Sequence, residues 1–250
     1  MMFPLAIAQP YRSLLMFLLG VWLALLIAAF AFGKDDAQRT RHSHSWLLMS
    51  TSALLVLAAF IWWLNGAGFL AGVGLWLLLG MAAGFAGDLI LADHVPFLQG
   101  VLPGMGAFSV THICYLVAFG LMAARLGLPG DAIRFGVIAI YLVVGVVLWF
   151  TLVSSPRAAK VLNYGALGYA LLLSGMAGFA TALVIQMPAL FWLALGANLF
   201  LLSDILLGNQ IFRQTNRPHV YDIVWVLYIF GQALIVFSNS TFTRLAGAAP

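Results

Sequence analysis

Eight runs of about twenty apolar residues, separated by short polar connections, constrain this chain more than any other feature. A helix of twenty residues rises about 30 Å, the thickness of bilayer hydrocarbon. Lipid offers no partner to a backbone N–H or C=O, so a run of this length crosses as a helix that satisfies its own backbone. Gly and Pro breaks at Asn65-Gly66, Pro129-Gly130, Ser155-Pro156 and Met187-Pro188 help to place the spans. They fall at 13–33, 46–64, 67–91, 103–126, 132–153, 164–185, 188–207 and 220–241. Charged residues make up only 7% of the chain, against about 25% in a soluble domain, and a core of this size cannot hide the excess apolar surface. The expected fold is therefore all-α and polytopic, with residues 1–250 forming one membrane domain.

The first run follows Arg12 and ends in Ala29-Phe30-Ala31, which has the small-residue look of a signal-peptidase site. It is longer than the 7–15-residue core of a signal peptide, so it is kept as the first span. The formal charge of +4 comes from 11 Lys and Arg scattered at the ends of runs, not from a patch, which argues against a nucleic-acid partner. Lys34, Arg39, Arg41, Arg157, Lys160, Arg213 and Arg217 fall in odd-numbered connections; Arg12, Arg125, Arg134 and Arg244 fall in the even ones or at the termini. That bias puts the odd connections in the cytoplasm and both termini outside, in the inner (plasma) membrane of a bacterium. The single cysteine, Cys114, allows no internal disulfide.

A short string recurs. Gly87-Asp88-Leu89-Ile90-Leu91-Ala92 closes the third span and Ser203-Asp204-Ile205-Leu206-Leu207-Gly208 closes the seventh, each followed by a helix bearing a tyrosine, Tyr115 or Tyr228. Four helices separate the two, so the halves would be a 4+4 repeat running in the same direction.

A carboxylate inside a span costs about 2.5–3.5 kcal/mol on insertion scales, which makes it a functional candidate by default. Asp88 and Asp204 are the clearest cases, each within about four residues of its expected helix end and so roughly 6 Å deep. Asp222 opens the eighth helix at the same end, His112 lies roughly 14 Å into the fourth, Tyr164 begins the sixth, and Asn198 sits above Asp204. All six fall in one half of the membrane. A plainer reading stands beside this one: a carboxylate near a helix end also reaches headgroup water, and His112 and Asn198 also serve as hydrogen-bonding glue between helices. The tyrosines also suit interfacial or core packing.

Zinc wants three or four convergent ligands. His42 and His44 share a charged loop, while His94 and His219 flank helix ends without a pair spacing, so no metal and no cofactor is expected. Neither a Gly-rich phosphate loop nor a Gly-x-Ser-x-Gly elbow is present. A lipid or small-molecule transporter or flippase also suits same-direction repeats around polar residues, and Gly72 and Gly74 would be its helix breaks.

Gly87-Asp88-Leu89-Ile90-Leu91, then Gly104-Met105-Gly106-Ala107-Phe108 with His112-Ile113-Cys114-Tyr115, then Asn198 through Ser203-Asp204, resemble the YhhN family, whose animal members are lysoplasmalogenases. The resemblance covers nearly the whole chain. It implies hydrolysis of the vinyl-ether bond of a lysoplasmalogen-type lysophospholipid to a fatty aldehyde and glycerophospho-ethanolamine or -choline. The family's catalytic carboxylates match Asp88 and Asp204, and its fourth-helix histidine matches His112. Where family members carry a lysine at the head of the second helix, this chain reads Trp46-Leu47-Leu48, so Arg41 would take over a lipid phosphate, together with Lys160 or Arg213.

The chemistry suits such residues. Protonation of a vinyl ether at carbon gives an oxocarbenium ion that water captures, which calls for an acid beside a base. Carboxyls in low dielectric or close to one another hold protons that water would remove, so a pair can supply both forms. His112 would then position water or a carboxylate, with Tyr164, Asn198 and Asp222 as partners.

Overall fold

The computed structural model describes residues 9–35, 41–42, 45–66, 68–215 and 219–248. Arg39, His44 and Arg217 lie outside them, as does the side chain of Arg41. Eight helices carry the fold: α1 (Gln9–Ala31), α2 (Ser45–Asn65), α3 (Phe69–Leu91), α4 (Val101–Arg125), α5 (Ala132–Leu148), α6 (Lys160–Gln186), α7 (Phe191–Arg213) and α8 (Val220–Ala248). A π-helical turn, Trp149–Val153, prolongs α5, and a 3-10 turn, Pro188–Leu190, leads into α7. Each of the eight is long and apolar enough to cross a bilayer. Two-residue strands, Lys34–Asp35 and Arg41–His42, pair between α1 and α2.

Two boundaries move in ways that matter. α7 runs to Arg213 and does not stop at the expected 207. Its extra turns are held by the end of α5, where the π turn and its exit leave carbonyls without helical partners. Asn209 Nδ2 donates to Leu152 O at 2.7 Å, and the Arg213 guanidinium donates to Ser154 O at 3.2 Å and Phe150 O at 3.1 Å. Asp204 is consequently nine positions from its helix end, roughly 14 Å along the axis and not 6 Å. α6 begins early, at Lys160, because Asn163 latches the preceding loop: its Nδ2 donates to Ser155 O at 2.7 Å and its Oδ1 accepts from Ser155 N at 3.1 Å.

Consecutive helices pack within each half, α1 to α4 and α5 to α8. Between halves, α4 packs on α6 just as α8 packs on α2, the exchange that a same-direction 4+4 arrangement requires. The equal sequence separation of 116 links Asp88 to Asp204 (204 less 88) and His112 to Tyr228 (228 less 112). His112, and not Tyr115, is therefore the counterpart of Tyr228. One apolar core runs through both halves, with Leu55, Met81, Tyr115, Phe119, Phe200 and Phe242 fully enclosed. α5 stands outermost; only Gly145 along it is buried. α7 and α8 touch backbone to backbone at Gly196 and Gly231, where a Cβ on Gly196 would lie 2.7 Å from Gly231 O.

Candidate active site

A cavity of about 760 Å³ opens among the helix ends of the odd-numbered connections. Ser45, Asp93, Gly100, Tyr221 and Asp222 stand around its mouth; Leu173, Ser174 and Leu201 are its innermost residues. Asp88 from α3 and Asp204 from α7 both line it. Asp88 is buried and Asp204 half-buried.

Each carboxyl is held by hydroxyl groups, and on one oxygen only. Asp88 Oδ2 accepts from Ser52 Oγ at 2.5 Å and from Tyr228 OH at 2.9 Å. Behind Tyr228 the chain continues: Gln232 Nε2 donates to Tyr228 OH at 3.3 Å, and Tyr115 OH donates to Gln232 Oε1 at 2.5 Å. The Tyr115 hydroxyl also lies 3.9 Å from Met81 Sδ, and the polarity of the line ends on Asp88. Asp204 Oδ2 accepts from Tyr169 OH. Tyr169 OH also lies 3.1 Å from His112 Nε2. With the Tyr169 proton directed at Asp204, the ring must donate through Nε2, which leaves Nδ1 as the unprotonated atom. That Nδ1 is buried and has no partner among the described residues. Oδ1 of Asp88 and Oδ1 of Asp204 accept no hydrogen bond from described protein groups.

Aromatic rings pack against the groups that brace the two carboxyls. Phe108 meets Phe200 and Tyr228 edge-on, at 6.1 and 5.8 Å between centroids, and Phe200 meets Tyr228 at 5.2 Å. His112 packs on Phe200 at 4.9 Å. This packing fixes the rings in place and gives the cavity an apolar wall beside its two acids.

Of the residues singled out in the sequence, Asp88, Asp204 and Asp222 line the cavity, and His112 reaches it through Tyr169. Tyr164 does not; it is 68% exposed on the outer face of α6. Asn198 belongs to a separate triangle joining three helices, in which Asn198 Oδ1 accepts from Tyr141 OH at 2.7 Å and Nδ2 donates to Thr181 Oγ1 at 3.0 Å. Asn198 and Asp204 are six residues apart, about 240° around the helix, so they face different neighbours. Asn198→Ala is expected to cost about 1–3 kcal/mol by leaving Tyr141 and Thr181 short of a partner, read as a lower Tm, with the cavity untouched. Lys160 is exposed, and Arg213 is committed to the α5 carbonyls; neither lines the cavity.

Ser52 and Tyr169 were missed. Ser52 is the last of three consecutive hydroxyl residues, Ser50-Thr51-Ser52, and nothing in that string says which one turns toward a partner. Tyr169 is nine positions into α6, as Asp204 is nine from the end of α7, but a sixth span opening at Tyr164 puts it only five positions deep, so the match shows only once α6 is seen to begin at Lys160.

The chain matches the YhhN family over residues 45–239. It is 29% identical over 198 residues to a human protein named lysoplasmalogenase TMEM86B, covering 78% of this chain and 76% of that one. Proteins named lysoplasmalogenase from Mycobacterium bovis and Mycobacterium tuberculosis are 30% identical over 153 residues, covering 60% of this chain and 55% of theirs. No solved structure matches. With its residues matched across most of the eight spans, this integral membrane protein belongs to the YhhN family.

Proposed function

We propose that this protein hydrolyses the vinyl-ether bond of a lysoplasmalogen-type lysophospholipid, using Asp88 and Asp204 as its acid–base pair. The observation that carries the reading is that these two carboxyls come from distant parts of the chain and share one cavity, each with an oxygen left over for substrate. The names of its relatives point to the same substrate class.

In the proposed cycle one carboxyl gives its proton to the second carbon of the vinyl ether, and the adjoining C–O carbon becomes an oxocarbenium centre. The other carboxyl, ionised, faces that charge and takes a proton from the water that adds, as paired carboxylates do in glycoside hydrolysis. The hemiacetal then loses its C–O bond, the oxygen leaving with a proton as the glycerol hydroxyl and the carbon departing as aldehyde. Tyr169 and His112 orient Asp204, while Tyr228 and Ser52 orient Asp88. The carboxylates of Asp93 and Asp222 at the mouth suit the ammonium of an ethanolamine or choline headgroup. The excess of Lys and Arg on the odd connections supports a cytoplasmic mouth, with both termini on the far side of a bacterial inner membrane.

Purified protein given an alkenyl lysolipid beside its saturated alkyl twin is expected to release fatty aldehyde from the first alone. In D2O that aldehyde should carry one deuterium on the carbon next to the carbonyl, as protonation at carbon demands. Aldehyde from both lipids, or none from either, overturns the reading. The matched packing of the two halves also fits a transporter, for which uptake into proteoliposomes without any product would be the result.

A further inference from the structure

A second cavity, of about 370 Å³, lies at the opposite end of the bundle, between the start of α7 and the last turns of α8. Its lining changes character along α8. Leu234 and Phe237, with Ala189 and Trp192 across from them, form an apolar wall. About 5–10 Å beyond Phe237 along the axis come Ser240, Thr241 and Arg244. The side chains of all three lack a hydrogen-bond partner among the described residues, although Ser240 is buried. Ser238, by contrast, is already satisfied by Ile235 O at 2.6 Å.

The free groups are two hydroxyls and a guanidinium, beside the exposed Trp192 indole, and no carboxylate of the described residues lines the cavity. Such a donor set calls for an anion, and a guanidinium matches a phosphate in geometry as well as charge. Arg244 sits near the outer end of α8, and Trp192 is the second residue of α7; both stand where a span meets the headgroups, the usual station of Trp and Arg. An apolar wall running inward from the donors is the shape of a lipid, whereas a free anion would need no such wall.

We propose that this cavity binds the phosphate of an anionic phospholipid in the leaflet opposite the catalytic mouth, with Arg244 as the principal contact and Ser240 and Thr241 completing it. The site is independent of the proposed hydrolysis. Its occupant is a structural lipid, held across α7 and α8.

The test uses the full chain, stripped of lipid in a neutral maltoside detergent and titrated with short-chain phosphatidylglycerol while unfolding is followed by tryptophan fluorescence. The lipid is expected to raise the Tm by several degrees as it saturates, because it binds only the folded form. Arg244→Gln should shift the half-saturating concentration up roughly tenfold, the loss of one charge-assisted contact. Arg244→Lys should retain most of the affinity. Ser240→Ala with Thr241→Val should weaken binding while Arg244 stays in place, which covers the case of an Arg244→Gln protein too unstable to titrate. Inorganic phosphate over the same range should leave the Tm unchanged. An equal rise with phosphate alone, or titrations indistinguishable between wild type and these variants, overturns the proposal.

Discussion

Asp88→Asn and Asp204→Asn are each expected to lower the rate of aldehyde release by at least about 10²-fold, the smaller end of what one acid–base group contributes. Asparagine keeps the size of the side chain and an oxygen that accepts from Ser52 and Tyr228, or from Tyr169, so the cavity should survive while the titratable proton is lost. The double variant should be little worse than either single one, because an acid without its base does no chemistry and the two losses are not additive. The measurement is single-turnover aldehyde formation on protein whose Tm is within a few degrees of wild type. Near-full activity in either folded variant would remove the carboxyl pair from the mechanism.

Gly196→Val is expected to be the most damaging change outside the cavity. A Cβ there meets Gly231 O at 2.7 Å, and one on Gly231 would meet Gly196 O at 2.8 Å and Phe200 N at 3.0 Å. These are backbone atoms, which cannot swing aside as a side chain can, so α7 and α8 would have to separate. Close approach through small residues is a main source of helix association in lipid, where burial of apolar surface drives little. A loss of about 3 kcal/mol, the upper range for overpacking, should appear as a much lower Tm and poor yield. Gly106→Ala is the control. A Cβ at Gly106 meets nothing within 4 Å, so the unfolding temperature should hold. Equal stability of the two variants would mean that the α7–α8 contact yields more easily than its backbone geometry allows.

The eight spans were legible because length and apolarity decide them almost alone. Asp88 and Asp204 were legible for a related reason: lipid makes every buried charge conspicuous. What the sequence hid depended on packing between helices. The end of α7 was misplaced because Asn209 and Arg213, polar residues that should have met water, spend their hydrogen bonds on carbonyls of α5. Tyr164 stands out at the head of the expected sixth span and Tyr169 does not, because only the contact of α6 with α4 and α7 tells which face turns inward. Asn198 was expected in the same membrane half as the acids, but with α7 ending at Arg213 it lies seven positions from the start of that helix and fifteen from its end, in the opposite half, where it joins α5, α6 and α7.

The bracing of the two acids crosses between halves. Asp88, in the first half, leans on Tyr228 from the second; Asp204, in the second, leans on Tyr169, which in turn meets His112 from the first. Ser52 and Tyr169 brace the acids from within their own halves, while the Tyr228 bond to Asp88 and the His112 contact behind Tyr169 each need both four-helix units. A chain cut between α4 and α5 would part Asp88 from Tyr228 and Tyr169 from His112, so both carboxyl surroundings are complete only when the two fragments meet again in one membrane.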